Sequence, residues 1–255
     1  MMNNYMNKIL VSKDKIISNS DKVKIDGNVI TLLNSDIYSI EYENISDISL
    51  CICVLNNVDA VLFESSFLSD IKVNNKYIVD NASLCINKFY NNDSVLENID
   101  IDLFNTGKID YKFSNICKNK ENYIININHN GIGTVSSINN KSIAMENSQI
   151  DFVINSVVEK EYEKSVLDQT TRIVTLGECD AKVSPNMFID CDDIEARHGS
   201  VIGTFKDDMV FYLMSRGIEY NDAIKLLVKG YLFSNIDADS SLREKILNVI
   251  DMYWR

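Results

Sequence analysis

The sequence predicts a mainly β protein that ends in a helical region, and three features of its pattern support this prediction. Up to about residue 204 the apolar residues recur at every second position, as in strands that bury one face. Clusters of Asn, Asp, Gly and Ser separate these runs, and after Thr204 the apolar spacing becomes helical. Many short strands separated by turns are typical of a sandwich, a barrel or a solenoid. Periodicity leaves these three architectures open, although the lack of a clean repeat length counts mildly against a regular solenoid.

The β body shows its alternation most clearly in three runs, at residues 109–113, 123–127 and 150–154. Turn-forming clusters such as Asn56-Asn57 and Asn105-Thr106-Gly107 lie between such runs. Because these residue types tolerate left-handed backbone and bond to their own backbone groups, they predict chain reversals.

The C-terminal region predicts three helices. The first spans residues 207–216, with acidic residues at its start and Arg216-Gly217 at its end, which is the expected polarity of a helix. The second spans residues 221–233. Ser241-Leu242-Arg243-Glu244 has the form of a capping box and predicts the start of the third.

The composition excludes several classes of function. The chain has 255 residues, of which 45% are hydrophobic, and a net charge of −12, so it is globular and acidic. An acidic surface disfavours binding to nucleic acid or to an anionic membrane. The longest apolar run, Leu50–Leu55, is far shorter than the roughly 20 residues that span a bilayer, and no secretory signal is visible. We therefore expect a cytoplasmic protein with reduced thiols.

The most unusual segment, residues 151–200, holds eleven acidic and five basic side chains and contains Cys179 and His198. One interpretation is a thiol nucleophile with an imidazole base, although the acidic surroundings disfavour a thiolate. A second is a glycan-cleaving solenoid that uses the carboxylates of residues 190–193. A third is a metal site, in which thiolate and imidazole favour iron, an iron–sulfur cluster or zinc.

Structural roles compete with these interpretations. We expect the strand-borne cysteines Cys51, Cys53 and Cys85 to fill the core, because free cysteine is among the most buried residue types. His129 continues the alternation of a strand and is expected to be a hydrogen-bonded residue at the strand end.

A longer combination of motifs favours a functional role for Cys179 and His198 over a purely structural one. It comprises Gly177-Glu178-Cys179-Asp180, Asp192-Asp193 followed by Glu195-Ala196-Arg197-His198-Gly199, Phe211-Tyr212-Leu213-Met214-Ser215-Arg216-Gly217-Ile218, and Asp222-Ala223. Together these motifs resemble the C-terminal region of the SufB/SufD family, whose members are scaffold subunits for iron–sulfur cluster assembly. The longer N-terminal helical region usual in that family is not visible, so we expect a short member.

The resemblance implies a right-handed parallel β-helix over residues 1–204 and a C-terminal helical domain over residues 205–255. It further implies that a nascent 4Fe–4S or 2Fe–2S cluster forms where two subunits meet, with sulfur supplied by a cysteine desulfurase or a sulfur carrier. ATP hydrolysis is expected in a partner, the ABC-type ATPase SufC, because this chain has no P-loop motif. The chain itself is therefore expected to be a scaffold and not an enzyme. Whether a flavin takes part is left open.

Three residues are implied as ligands of the cluster. Cys179 falls where SufB subunits carry an essential cysteine, and His198 falls where SufD subunits carry an essential histidine. Because one chain holds both, we expect a homodimer whose twofold axis supplies two Cys and two His. SufB subunits have a Glu-His-Glu run near this position, and here only Glu195 is left as a spare ligand or as a hydrogen-bond partner of the ligands.

The helical region is expected to dock onto SufC. The residues expected at that contact are Leu213, Lys225, Leu227, Lys229 and Tyr231. At least half of these side chains are expected to pack on the β body instead, since amphipathic helices usually do so. The alternative function is a β-solenoid that binds or cleaves a glycan.

Overall fold

The computed structural model describes residues 6–254 and confirms a β body followed by three helices. The body is a parallel β-solenoid of about seven turns. In chain order its strands are β1 (Asn7–Ser12), β2 (Ile16–Ser18), β3 (Val23–Asp26), β4 (Val29–Leu32), β5 (Ile37–Glu43), β6 (Asp47–Leu55), β7 (Asp59–Ser66), β8 (Asp70–Asp80), β9 (Ser83–Tyr90), β10 (Ser94–Phe104), β11 (Lys108–Cys117), β12 (Lys120–His129), β13 (Val135–Met145), β14 (Gln149–Val158), β15 (Val166–Leu176), β16 (Asp180–Ile189) and β17 (Glu195–Gly203).

Successive strands alternate between two facing sheets. One sheet has the order β17-β15-β13-β11-β9-β7-β5-β1-β2, and the other has the order β16-β14-β12-β10-β8-β6-β4-β3. All pairings between turns are parallel, and only the first hairpins, β1–β2 and β3–β4, are antiparallel. Because both sheets turn one face inward, alternate residues of each strand fill the space between them, which explains the two-residue period of the sequence.

The core between the sheets is apolar and aromatic. The ring of Tyr123 stacks on that of Phe152 at a centroid distance of 4.7 Å, and Phe113 lies 4.9 Å from Tyr123. These rings come from the three runs in which the sequence alternation is clearest. The prediction that these runs bury their apolar positions is confirmed.

The expectation that a missing repeat length argues against a solenoid is wrong, because the turns differ in length. Asp70 pairs with Ser94, which is 24 residues further along the chain, whereas Gln149 pairs with Asp180, which is 31 residues further. The turns between strands therefore vary in length, which changes the number of residues per solenoid turn, while the parallel pairing between strands stays continuous.

The predicted Asn turns are confirmed. Asn56 and Asn57 have φ values of 58° and 64°, and Asn105 and Thr106 also adopt left-handed backbone. Asparagine is tolerated there because its short side chain bonds locally to the backbone.

The helices lie close to their predicted bounds, at α1 (Asp207–Ser215), α2 (Tyr220–Phe233) and α3 (Ser240–Tyr253). Gly217 follows α1 with a φ of 83°, as a helix-terminating glycine should. The predicted capping box is wrong: Asp239 caps α3 by accepting a hydrogen bond from the Leu242 amide at 2.7 Å. The helix begins at Ser240, so Asp239 is in the N-cap position and Ser241 already lies inside the first turn. None of these three helices combines the length and the apolarity needed to cross a membrane.

Helices α2 and α3 pack on the outer face of the nine-stranded sheet. Their apolar side chains form a second core with Phe89, Ile116 and Val174 of the sheet. Asn235 donates hydrogen bonds to the carbonyl oxygens of Phe113 and Asn139 at 2.7 and 3.2 Å. These bonds fix the helical region at the middle of the solenoid.

A network of buried charges lies between the sheets. Lys88 Nζ is 3.0 Å from Glu64 Oε1 and 2.5 Å from Glu97 Oε1, and all three side chains are fully buried. Burial alone would lower the pKa of Lys88, but the two carboxylates outweigh it and raise that pKa. Burial raises the pKa of Glu97, whereas Lys88 and neighbouring tyrosines hold the pKa of Glu64 below its usual value despite burial.

Glu121 lies in the same interior without a cationic partner. Tyr123 and Asn115 both donate to its Oε2 atom, and its Oε1 atom has no hydrogen-bond partner within residues 6–254. Burial raises the pKa of Glu121 to about 7. The side chain is therefore expected to be protonated at mildly acidic pH.

Glu121→Gln is expected to remove a pH-dependent loss of stability. The folded pKa is above the usual value of about 4.3, so the stability contributed by the protonated form is complete below about pH 4 and is lost as the pH rises through 7. Relative to wild type, the variant should gain about 3 kcal/mol in free energy of unfolding at pH 8 and nothing near pH 4.5. Urea unfolding at both pH values measures this, with exposed Glu161→Gln as the control. An equal effect at both pH values would contradict this assignment.

Candidate functional site

Within residues 6–254, no further strand covers the last turn of the solenoid. β16 pairs only with β14, and β17 pairs only with β15, so each has one free edge within the described part of the chain. Every residue of β17 except Gly203 is exposed. Val201 of β17 is 56% exposed, and Phe188 of β16 is 57% exposed. Unpaired strand edges with apolar side chains are templates for pairing with another chain.

The parallel register shows that His198 points into the open mouth between the sheets. It pairs with Gln169, which is buried inside the preceding turn. Side chains of paired residues in a parallel ladder lie on the same face, so His198 faces inward. It is nevertheless exposed, because no further strand covers it within residues 6–254.

Cys179 lies just before β16 and also faces inward. It is half-buried and packs, with Ala181 and Val183, against the core at the end of the solenoid. Burial raises the pKa of the Cys179 thiol, and the adjacent Asp180 carboxylate adds to the rise. The thiol must therefore lose its proton when it binds a metal ion.

Glu195 has a different placement. Glu195 lies two residues before Arg197, so both side chains are on the same face of β17. This is the outer face, where Arg197 Nε lies 2.9 Å from Asp168 Oδ2. Glu195 begins β17, at the edge of the sheet where β16 ends. Its carboxylate therefore starts from the side of the strand opposite to His198.

Cys179 and His198 do not meet within one chain. Cys179 lies at the edge where β15 and β17 end, and His198 lies five residues before Gly203, the last residue of β17. At about 3.3 Å per residue this separation is about 16 Å along the strand. Within residues 6–254 no hydrogen bond joins the two side chains, and no group of three or more His, Cys, Asp or Glu is placed to hold a metal.

Cys117, Cys191 with the acidic turn at residues 190–194, and His129 have different environments from Cys179 and His198. Cys117 is buried, and its Sγ atom lies 3.5 Å from the Gln149 carbonyl oxygen. Cys191 follows β16 in the exposed turn at residues 190–194, together with the aspartates that the glycan hypothesis uses. His129 is buried and bonds Thr134 Oγ1 at 2.7 Å and Ser136 Oγ at 2.9 Å, as predicted. Burial lowers the pKa of His129 to about 4.

Helix α1 is the exposed part of the helical region, and it has no buried residue. Phe211 is 72% exposed, and Tyr212 and Met214 are also exposed. A cavity of about 370 Å³ lies between α1 and the end of β15, lined by residues that include Thr175 and Phe205.

The five residues predicted to dock a partner have different environments. Leu213 is half-buried on α1. Tyr231 is buried and donates to the Arg172 carbonyl oxygen at 2.6 Å, and Leu227 packs in the same apolar cluster. Lys225 and Lys229 each lie 3.0 Å from Asp251 of α3.

The sequence motif predicts Cys179 and His198 as site residues, and this stays a prediction. The free edges of β16 and β17 and the exposed face of α1 were not predicted. The free edges could have been predicted, because the two-residue periodicity of the sequence stops near residue 204 and no later strand is expected to pair with β16 or β17. The exposed face was visible as consecutive apolar residues Phe211-Tyr212-Leu213-Met214, which encircle the helix.

Comparison with known proteins identifies this part of the chain. Residues 115–231, from the end of β11 to α2, match the family model "SUF system FeS cluster assembly, SufBD core domain". The iron–sulfur cluster assembly protein SufD of Escherichia coli is 34% identical over 74 residues, 28% of this chain and 17% of that protein. SufD of Bacillus subtilis is 28% identical over 113 residues, 44% of this chain and 26% of that protein. An iron–sulfur cluster assembly SufBD family protein of Mycobacterium leprae is 40% identical over 70 residues, 26% of this chain and 18% of that protein.

The fold is a parallel β-solenoid, and its segment 115–231 is similar to the SufBD core domain. The relatives named above are SufD and SufBD family proteins. It spans about a sixth to a quarter of the length of these curated relatives.

Proposed function

We propose that the chain is a scaffold on which an iron–sulfur cluster is assembled where two copies join. The observation that carries the proposal is that the last turn of a SufBD core domain presents Cys179 and His198 in an uncovered mouth. The cluster is the cargo of this site and not a resident cofactor. The similarity to the SufBD core domain and to SufD proteins supports a role in iron–sulfur cluster assembly, and the location of the cluster is the proposal.

The free edges support a joint between two identical chains. β16 and β17 are ten and nine residues long, which is long enough for a continuous ladder with a second solenoid. A twofold joint uses the same surface on both chains, so it satisfies the open backbone groups of both at once. Pairing would also cover the exposed side chains of Val201 and Ile202.

The ligand count supports the same arrangement. Four protein ligands hold a 2Fe–2S or a 4Fe–4S cluster, and one chain offers one thiol and one imidazole at the mouth. Because Cys179 and His198 of one chain are about 16 Å apart along the strand, a cluster at the joint would take Cys179 from one chain and His198 from the other, with its remaining ligands from elsewhere. Glu195 can contribute at the margin of the joint, from the outer side of β17, as a hydrogen-bond partner of a ligand.

We further propose that α1 docks the partner ATPase SufC. Its exposed residues Phe211, Tyr212 and Met214, with Leu213, form an aromatic and apolar surface of the kind that anchors protein interfaces. Tyr231 and Leu227 hold α2 against the sheet and so position this surface. ATP hydrolysis in the partner would then move the helices that rest on the solenoid.

Cys179→Ser is expected to lower the cluster content by at least about 10-fold, because loss of a hydrogen-bond partner of a ligand already costs that much in metal affinity. The measurement is iron, sulfide and visible absorption after anaerobic reconstitution with ferrous iron, sulfide and SufC. The control is Cys85→Ser, which also removes one half-buried thiol but lies on β9, far from the mouth. Full cluster content in the Cys179→Ser protein would refute the assignment.

Phe211→Glu is expected to weaken SufC binding by at least about 10-fold, because a charge replaces an exposed aromatic anchor. Titration calorimetry with purified SufC measures this. Met252→Glu is the matched control, since Met252 is a similarly exposed apolar residue on α3. Equal affinities for the wild type and the Phe211→Glu protein would exclude α1 as the docking surface.

A further inference from the structure

Two cysteines form a pair on the outer face of the eight-stranded sheet. Cys51 and Cys53 lie on β6, where they alternate with the buried residues Leu50, Ile52 and Val54. The expectation that they fill the core is therefore wrong, since two-residue alternation places them on the opposite face. Both are half-buried, and their Sγ atoms are 3.8 Å apart. Cys85 of β9 is likewise half-buried and lies outside the core.

The separation of the two sulfur atoms fits a metal ion. With zinc–sulfur bonds of about 2.3 Å and a tetrahedral angle, two thiolates on one ion are about 3.8 Å apart. We propose that Cys51 and Cys53 form a two-thiolate site for a soft divalent cation of the zinc class. The side chains already have the required spacing, so binding needs no rearrangement of the strand.

Direct oxidation of the pair to a disulfide fits the strand less well. Cα atoms two residues apart in a strand are separated by about 6.6 Å, close to the upper limit of about 6.8 Å usual for a disulfide. β6 is paired with β4 on one side and β8 on the other, and the Cys51 amide donates to the Asn28 carbonyl oxygen at 2.9 Å. The ladders on both sides resist the shortening that a disulfide would require.

The surroundings leave the site accessible to a small ion. Helices α2 and α3 pack on the nine-stranded sheet and not on this face. Lys76 of β8 is the neighbour of Cys51 in the ladder between β6 and β8. Its Nζ atom is 2.6 Å from Asp102 Oδ2, so the charge of Lys76 is already compensated. On binding, the two thiols release two protons to solvent and form two metal–sulfur bonds, without any change in oxidation state.

Cys51 and Cys53 supply two of the four ligands that a tetrahedral zinc ion takes. Within residues 6–254 no third His, Cys, Asp or Glu joins the pair in a metal-binding group. Two positions of a tetrahedral ion therefore remain for water or a small thiol. Such a site exchanges its metal readily, unlike a closed four-cysteine structural site.

This inference does not depend on the proposed cluster site, and its test can be separated from it. Zn²⁺ alone is added to the reduced full chain carrying Cys179→Ser, which removes the thiol of the cluster site. The rate at which each cysteine is alkylated is followed by peptide mass spectrometry. We expect one equivalent of Zn²⁺ to slow the alkylation of Cys51 and Cys53 together by at least about 10-fold, with no effect on Cys85.

A second variant distinguishes a chelate from general masking of the thiols. In the Cys53→Ser protein, with folding checked by circular dichroism and thermal unfolding, Zn²⁺ should no longer protect Cys51. Protection of Cys51 that persists without Cys53 would overturn the proposal. So would equal protection of Cys85, or no protection of the pair at any Zn²⁺ concentration that leaves the protein soluble.

Discussion

In a β-solenoid each turn is stabilised by the turns on both sides of it, and the last turn has only one neighbour. That constraint governs the end formed by β16 and β17. Here the inward-facing residues of β17 are exposed and those of β16 are only half-buried, and within residues 6–254 each of these two strands has one edge without a partner strand. Cys179 and His198 lie in this last turn.

The helical region packs on the middle of the solenoid and not on its end. Asn235 ties the end of α2 to β11 and β13, several turns away from the open mouth. The helices therefore cover the nine-stranded sheet and leave the end free for a second chain. Helix α1 and the start of α2, whose residues Tyr220 and Ile224 line the same cavity, lie next to the end of β15 and so close to the mouth. A partner that binds α1 would sit beside the joint.

Polar groups inside the solenoid contribute to specificity more than to stability. Burying Lys88 with two carboxylates costs solvation energy, which the ion pairs and tyrosine hydrogen bonds offset. Such a network is satisfied in only one register of the strands, because shifting a strand by one residue would move its charge to the outer face. We therefore infer that the network helps to fix the register of β7, β9 and β10, in a sequence whose repeat length varies.

Local pattern was enough to predict most of the fold. The alternation through Tyr111 and Tyr123 identified strands, and Gly217 identified a helix end, because these signals depend on neighbouring residues only. The two-sheet solenoid could not be derived in this way, since a buried strand looks the same in a sandwich, a barrel or a solenoid. Nor could the orientation of Cys51, because six consecutive apolar residues, Leu50–Leu55, do not show which face of the strand is inward. For the site, the motif located Cys179 and His198, but their separation within one chain is a property of the ladder register.

The central claim is that two chains share one cluster at the joint of their open ends. Size-exclusion chromatography of the reconstituted protein, with light scattering, iron analysis and cluster absorption on the same peak, tests it most directly. The account predicts that the cluster elutes only with a species of two chains. It also predicts that Val201→Lys, which places a charge on the free edge of β17, yields a folded single chain without a cluster. A fully occupied cluster on a single chain would contradict the account.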